Sequence, residues 1–123
     1  MQQSHGKTKK VLVIDDDMAV RDFLYRFLSK EGFLVKLVMS GESAIKVLKE
    51  DDFDVVFLDI RMPFVDGIMV YKETKKEKPD LKFVLMSGYA VEDLLKEILN
   101  QDNVFYIKKP FDINELKEII SKI

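Results

Sequence analysis

The sequence predicts an α/β fold, a doubly wound five-stranded parallel sheet with helices on both faces. Three observations predict it. Five short apolar runs recur along 123 residues, amphipathic stretches separate them, and strands alternating with helices demand right-handed crossovers into one sheet. The runs are continuous rather than alternating, as strands buried on both faces require. At about 100–200 residues per domain the chain is one domain, and ten short elements leave no room for a second.

Residues 1–9 are polar and unpatterned, and are expected to form a mobile tail ahead of a domain over 10–123. The lone His5 sits in that tail, where nothing fixes the geometry that a ligand or phosphate carrier needs. Val11-Leu12-Val13-Ile14 is the first strand. Val20, Phe23, Leu24, Phe27 and Leu28 then make a helical stripe, and Gly32 fits the residue just past a helix end. The second strand runs from Phe33 to Val38, and residues 41–51 form a weaker helix. Val55-Val56-Phe57-Leu58 is the third strand, followed by a helix over residues 65–78 that stops before Pro79. Phe83-Val84-Leu85-Met86 and Val104-Phe105-Tyr106-Ile107 are the fourth and fifth. Helices at 91–99 and 113–123 follow them, the first striped by Val91, Leu94, Leu95, Ile98 and Leu99. The most economical doubly wound order is 2-1-3-4-5, with the switch point between the first and third strands.

Composition narrows the functions. Twenty Lys+Arg against 22 Asp+Glu leave a net charge of −2, without the basic excess of a dedicated nucleic-acid binder. The absence of Cys excludes disulfides, thiolate metal sites and cysteine nucleophiles, and suits a reducing compartment. No apolar run approaches the roughly 18–20 residues of a membrane span, and the first ten residues lack a signal peptide's apolar stretch. The expectation is a soluble cytoplasmic domain.

Ligands of such sheets bind beyond the carboxyl ends of the strands, at the switch point. Those ends carry Asp15, Asp16 and Asp17, then Asp59, then Ser87 and Gly88, then Lys108, Lys109 and Pro110. With the first and third strands adjacent, Asp15, Asp16 and Asp59 crowd together. Two unit charges about 4 Å apart repel by about 4 kcal/mol at an effective dielectric of about 20, so the group calls for a cation or raised pKa values. Helix capping explains one aspartate, best Asp17, but not three in a row beside a fourth. Hard oxygen donors with room for water suit Mg²⁺. Asp59 can attack phosphorus to give an acyl phosphate, a Lys ammonium can neutralise the phosphoryl oxygens, and the Ser87 hydroxyl can donate to one of them. Pro63 and Gly67 shape the loop after Asp59. Alternation sets Tyr106 and Lys108 on one side of the last strand, Ile107 and Lys109 on the other. Pattern alone does not select between the lysines.

Val13-Ile14-Asp15-Asp16-Asp17, Asp59-Ile60-Arg61-Met62-Pro63, Asp66-Gly67, Met86-Ser87-Gly88 and Lys109-Pro110-Phe111 resemble the response-regulator receiver domain of two-component signalling, over essentially residues 9–123. The resemblance implies a flavodoxin-like fold and a phosphorelay function. Asp59 would accept a phosphoryl group from a histidine kinase or phosphotransfer protein. Asp15, Asp16, Asp59 and the backbone carbonyl of Arg61 would hold Mg²⁺, with Mn²⁺ a possible substitute and Asp16 the direct ligand of the acidic pair. Ser87 and Lys109 would contact the phosphoryl group. Ser87 and Tyr106 would act as the switch, changing the surface of residues 91–99, Tyr106 and residues 113–123 that meets a downstream protein or attached output domain. Arg61 and Tyr89 would flank the phosphate and slow its hydrolysis. The Lys109–Pro110 bond is often cis in the family. Two features depart from the pattern: residues 99–104 lack the usual Gly-Ala pair before the last strand, and Phe64 replaces a small residue. Neither touches the proposed chemistry.

The reading is of a phosphoacceptor that promotes only its own phosphorylation and dephosphorylation, with no direct contact to nucleic acid or membrane. It stands alone or is cut from a hybrid kinase or DNA-binding regulator; the stretch Met86-Ser87-Gly88-Tyr89-Ala90 and the missing Gly-Ala pair are similar to receivers attached to such proteins. A flavin binder on this fold would need a hydroxyl- and glycine-rich loop where three aspartates stand. An aspartyl phosphohydrolase would typically carry a second carboxylate at Arg61, which cannot deprotonate. The phosphate loop of nucleotide switches is missing.

Overall fold

The computed structural model describes residues 8–62, 66–88 and 95–123. Its elements alternate as β1 Lys10–Ile14, α1 Met18–Lys30, β2 Leu34–Val38, α2 Gly41–Glu50, β3 Val55–Asp59, α3 Gly67–Glu77, β4 Lys82–Ser87, α4 Lys96–Leu99, β5 Val104–Lys108 and α5 Ile113–Ile120. The five strands form one parallel sheet in the order β2-β1-β3-β4-β5. Of the tail expected over residues 1–9, the first seven lie outside the described residues, as do residues 91–94 of the expected fourth helix.

Alternate residues of β1, β3 and β4 feed two cores, so their apolar runs need no polar face. The edge strand β2, expected to be buried on both faces, is instead mostly exposed, with only Val38 buried. Leu12, Ile14, Val56, Leu58, Phe83 and Leu85 face α2 and α3, where Tyr71 meets Phe83 edge to face at 4.9 Å. Val11, Val13, Val55, Phe57, Val84, Met86 and Ile107 face Leu24 and Leu28 of α1 and Leu116 and Ile119 of α5. Helix starts are written in the sequence. Asp17, Ser40, Asp66 and Asp112 each accept a backbone N–H from the first turn that follows, satisfying donors that a helix leaves open. Gly32 takes a φ of +98° just after α1, the left-handed residue that lets the chain turn into β2.

The loop that lacks the Gly-Ala pair passes through a left-handed residue. Asn103 adopts a φ of +68°, and its carbonyl accepts the Phe83 N–H at 2.9 Å, joining the loop to the start of β4. Asparagine tolerates this conformation better than other residues with a Cβ. Replacing Asn103 with Gly is therefore expected to leave stability unchanged or raise it slightly. Replacing it with Val is expected to cost about 1–2 kcal/mol, as read from urea unfolding midpoints.

Candidate functional site

Parallel register puts the chemistry at one edge. Ile14 pairs with Leu58 and Asp59 with Met86, so Asp15 and Asp59 emerge side by side, with Ser87 one residue farther along β4. Asp15 is fully buried, Asp59 nearly so, and Asp16 is exposed. One carboxylate oxygen from each lies within 4.8 Å of the others.

Asp15 is held at both oxygens: Oδ1 accepts the Asp17 N–H at 2.9 Å, and Oδ2 accepts from Lys109 Nζ at 2.6 Å. The same ammonium lies 3.4 Å from Asp59 Oδ2, while Asp59 Oδ1 accepts the Arg61 N–H at 3.0 Å. Lys109 therefore bridges the two buried carboxylates, and Lys108 is exposed. Of the two lysines, Lys109 is the one at the aspartates. Asp17 caps α1 through a bond to the Ala19 N–H, which leaves Asp15 and Asp16 for the pocket. No hydrogen bond to the Asp16 carboxylate occurs among the described residues, so it is open to a ligand. Ser87 is fully buried, and its carbonyl accepts the Lys109 N–H at 2.8 Å. Tyr106 is partly buried against the α2–α3 core. The Lys109–Pro110 bond is cis. Pro63, Phe64 and Tyr89 lie outside the described residues.

Two features were not legible in the sequence. Arg21 reaches back from α1, and its Nη1 donates to the Asp15 main-chain carbonyl at 2.8 Å. Gly67, expected to shape the loop, has a more specific reason to be glycine: a Cβ there would lie 2.5 Å from Ile60 Cα and closer still to the Asp59 carbonyl oxygen. The start of α3 presses directly on the backbone that carries Asp59.

The electrostatics follow from this crowding. Burial raises the Asp59 carboxyl to about 6, with Asp15 adding to the rise, while the Arg61 N–H and Lys109 oppose it. For Lys109, burial disfavours the ammonium, but the hydrogen bond to Asp15 and the charges of Asp59 and Asp15 outweigh it and hold its pKa above the usual lysine value. Three carboxylates meet the Lys109 ammonium and, at the Asp15 carbonyl, the Arg21 guanidinium, which leaves the carboxylates in excess. The donor set, carboxylate oxygens from two buried residues and one exposed residue, fits a divalent ion that prefers oxygen.

Residues 11–121 match the family model for the response regulator receiver domain. The chain belongs to that family. The receiver is 28% identical to sporulation initiation phosphotransferase F of Bacillus subtilis (strain 168), covering 93% of this chain and 92% of that protein. It is 33% identical to the DNA-binding transcriptional regulator NtrC of Proteus hauseri over 91% of this chain, but spans only 24% of that relative. Among solved structures it is similar to the response regulator TrrA of Thermotoga maritima in complex with Mg(2+)-BeF, at 34% identity and a TM-score of 0.83, covering 94% of this chain and 98% of that one. The family is one of signalling phosphoacceptors, and the aspartate cluster of this receiver fits a phosphoacceptor site. Among the described residues no helix is long and apolar enough to cross a membrane.

Because Asp59 holds its proton more tightly folded than unfolded, its ionisation opposes folding. Its contribution is most favourable below the ordinary value of 3.8 and is lost as pH rises through about 6. Asp59→Asn, which keeps an acceptor for the Arg61 N–H, is expected to raise stability in metal-free buffer at pH 7.5 by up to about 3 kcal/mol. The gain should shrink toward zero near pH 4, as followed by thermal unfolding across the pH range.

Proposed function

We propose that this receiver accepts a phosphoryl group on Asp59 from the phosphohistidine of a histidine kinase or phosphotransfer protein, and signals by changing the surface around α4, β5 and α5. The observation that carries the reading is the Lys109 ammonium held between Asp15 and Asp59 at the sheet edge. An Asp59 oxygen forms the new O–P bond as the N–P bond of the donor breaks, and the released histidine nitrogen takes a proton. With its pKa at about 6, Asp59 is roughly nine-tenths ionised at pH 7 and ready to attack. The Arg61 N–H fixes one carboxylate oxygen, which orients the group toward the incoming phosphorus. Lys109, charged throughout this range, offsets negative charge on the transferred group.

Asp16, Asp59 and the Arg61 carbonyl would hold Mg²⁺, or Mn²⁺ in its place, with Asp15 supporting the site from behind through its two hydrogen bonds. A bound divalent ion supplies further neutralisation of the phosphoryl oxygens. The Ser87 hydroxyl donates to the phosphoryl group and draws Tyr106 inward. Arg61 and Tyr89 slow the approach of water to the acyl phosphate. The protein thus promotes only its own phosphorylation and dephosphorylation.

A groove lined by Ala19, Val20, Phe23, Pro110, Phe111 and Ile113 opens beside Lys109 and is suited to an apolar helix of the phosphodonor. We assign the domain to the cytoplasm, where such donors expose their histidines. A net charge of −2 gives it no basic surface excess for direct nucleic-acid contact. The relation to NtrC supports a second reading of context, in which the receiver is one module of a longer regulator or hybrid kinase.

Incubation with Mg²⁺ and acetyl phosphate, followed by intact-mass measurement, tests the core of this reading. Wild type is expected to gain one phosphoryl mass, chelation of divalent ions to abolish the gain, and Asp59→Asn to show none. Lys109→Ala should slow labelling by at least about 10²-fold. Equal labelling of wild type and Asp59→Asn would contradict the assignment.

A further inference from the structure

We infer that Arg21 is a positioning residue for the divalent-ion site, acting through the peptide that joins Asp15 to Asp16. Asp15 lies two residues before the N-cap of α1 and one past the end of β1, so its carbonyl belongs to neither the helix nor the sheet ladder. No backbone N–H among the described residues meets it. The Arg21 guanidinium does, at 2.8 Å, from one turn into the helix. That carbonyl is half of the peptide unit linking the two acidic residues, so clamping it fixes the orientation of one carboxylate relative to the other.

The remaining restraints of the turn act on other atoms. The Asp15 N–H donates to the Val38 carbonyl at 3.1 Å, Asp15 Oδ1 accepts the Asp17 N–H, and Asp15 Oδ2 accepts from Lys109. Asp16 shares none of these bonds. Its carboxylate is placed by its backbone alone, and the Asp15–Asp16 peptide is the part of that backbone Arg21 holds. A residue outside the ligand set that orients a ligand commonly contributes 10- to 100-fold to metal affinity.

The inference rests on the phosphoacceptor reading, in which Asp16 is a direct ligand, and the sign of one measurement separates it from a simple charge effect. A guanidinium near a cation site repels the cation, so its removal should tighten binding if charge were its whole contribution. If Arg21 positions Asp16, its removal weakens binding despite the lost repulsion. Arg26 provides the control: it lies on the same helix, carries the same charge, and pairs on the surface with Asp22 at 3.2 Å.

Mg²⁺ titration by calorimetry of the whole protein, with Tm measured in parallel, makes the comparison. Arg21→Met is expected to weaken Mg²⁺ binding by about 10-fold or more. By leaving the buried Asp15 carbonyl without its partner, it is also expected to lower the metal-free Tm below that of Arg26→Met, whose Mg²⁺ affinity stays within about 2-fold of wild type. Both variants are titrated well below their Tm. Arg21→Lys keeps the charge and one donor but loses the planar fork, and should fall between wild type and Arg21→Met. Arg21→Met binding Mg²⁺ as tightly as Arg26→Met, or more tightly, would overturn the inference. If Arg21→Met does not fold, Arg21→Lys decides: weaker binding than wild type supports positioning, equal binding refutes it. A wild-type protein that binds no Mg²⁺ removes the phosphoacceptor reading itself, a result visible before any variant is compared.

Discussion

Repulsion among Asp15, Asp16 and Asp59 is the constraint on which the rest of the site depends. The sheet buries two of these carboxylates and crowds the third against them, an arrangement that opposes folding unless positive charge is supplied. Lys109 supplies part of it, bonded to Asp15 and close to Asp59. The balance remains negative, and a site that is short of cations in its resting state is prepared to bind a divalent ion. The same shortage makes an incoming phosphoryl group tolerable only when such neutralisation is present, which couples the chemistry to metal.

The fold creates this tension and then limits it. Parallel pairing of β1 with β3 brings the aspartates together, and the register of β4 and β5 sets Ser87 and Lys109 beside them. Restraint comes from short backbone contacts: the Arg61 N–H on Asp59, the Asp17 N–H on Asp15, the Arg21 guanidinium on the Asp15 carbonyl, and α3 pressed on the end of β3 through Gly67. The first, second and fourth add no mobile side chain, and the third is a side chain that holds a main-chain carbonyl. Preorganisation of this kind lowers the reorganisation needed when the phosphoryl group arrives.

The strands and their order were legible because doubly buried strands leave continuous apolar runs, and Ile14, Leu58, Met86 and Ile107 mark the ends from which site residues emerge. Asp59 and the Asp15–Asp16 pair stood out because capping could not account for so many carboxylates. The lysines did not separate by pattern, since alternation fixes relative sides but not absolute ones; the bond from Lys109 to Asp15 separates them. Asn103 was hidden because its left-handed conformation is a backbone property that asparagine only permits. Arg21 was invisible for a different reason. An arginine on a helix reads as solvated surface, and nothing in its spacing reports that its guanidinium turns back to a carbonyl six residues earlier.

The central claim, that the acidic cluster is short of positive charge and a divalent ion completes it, is tested most directly by following the Asp59 carboxyl carbon by ¹³C NMR across pH. Without metal the account predicts a midpoint of about 6, and with saturating Mg²⁺ a midpoint lowered by at least about one unit, as a nearby cation favours the ionised form. A midpoint near the ordinary aspartate value without metal, or one that Mg²⁺ leaves unmoved, would contradict it.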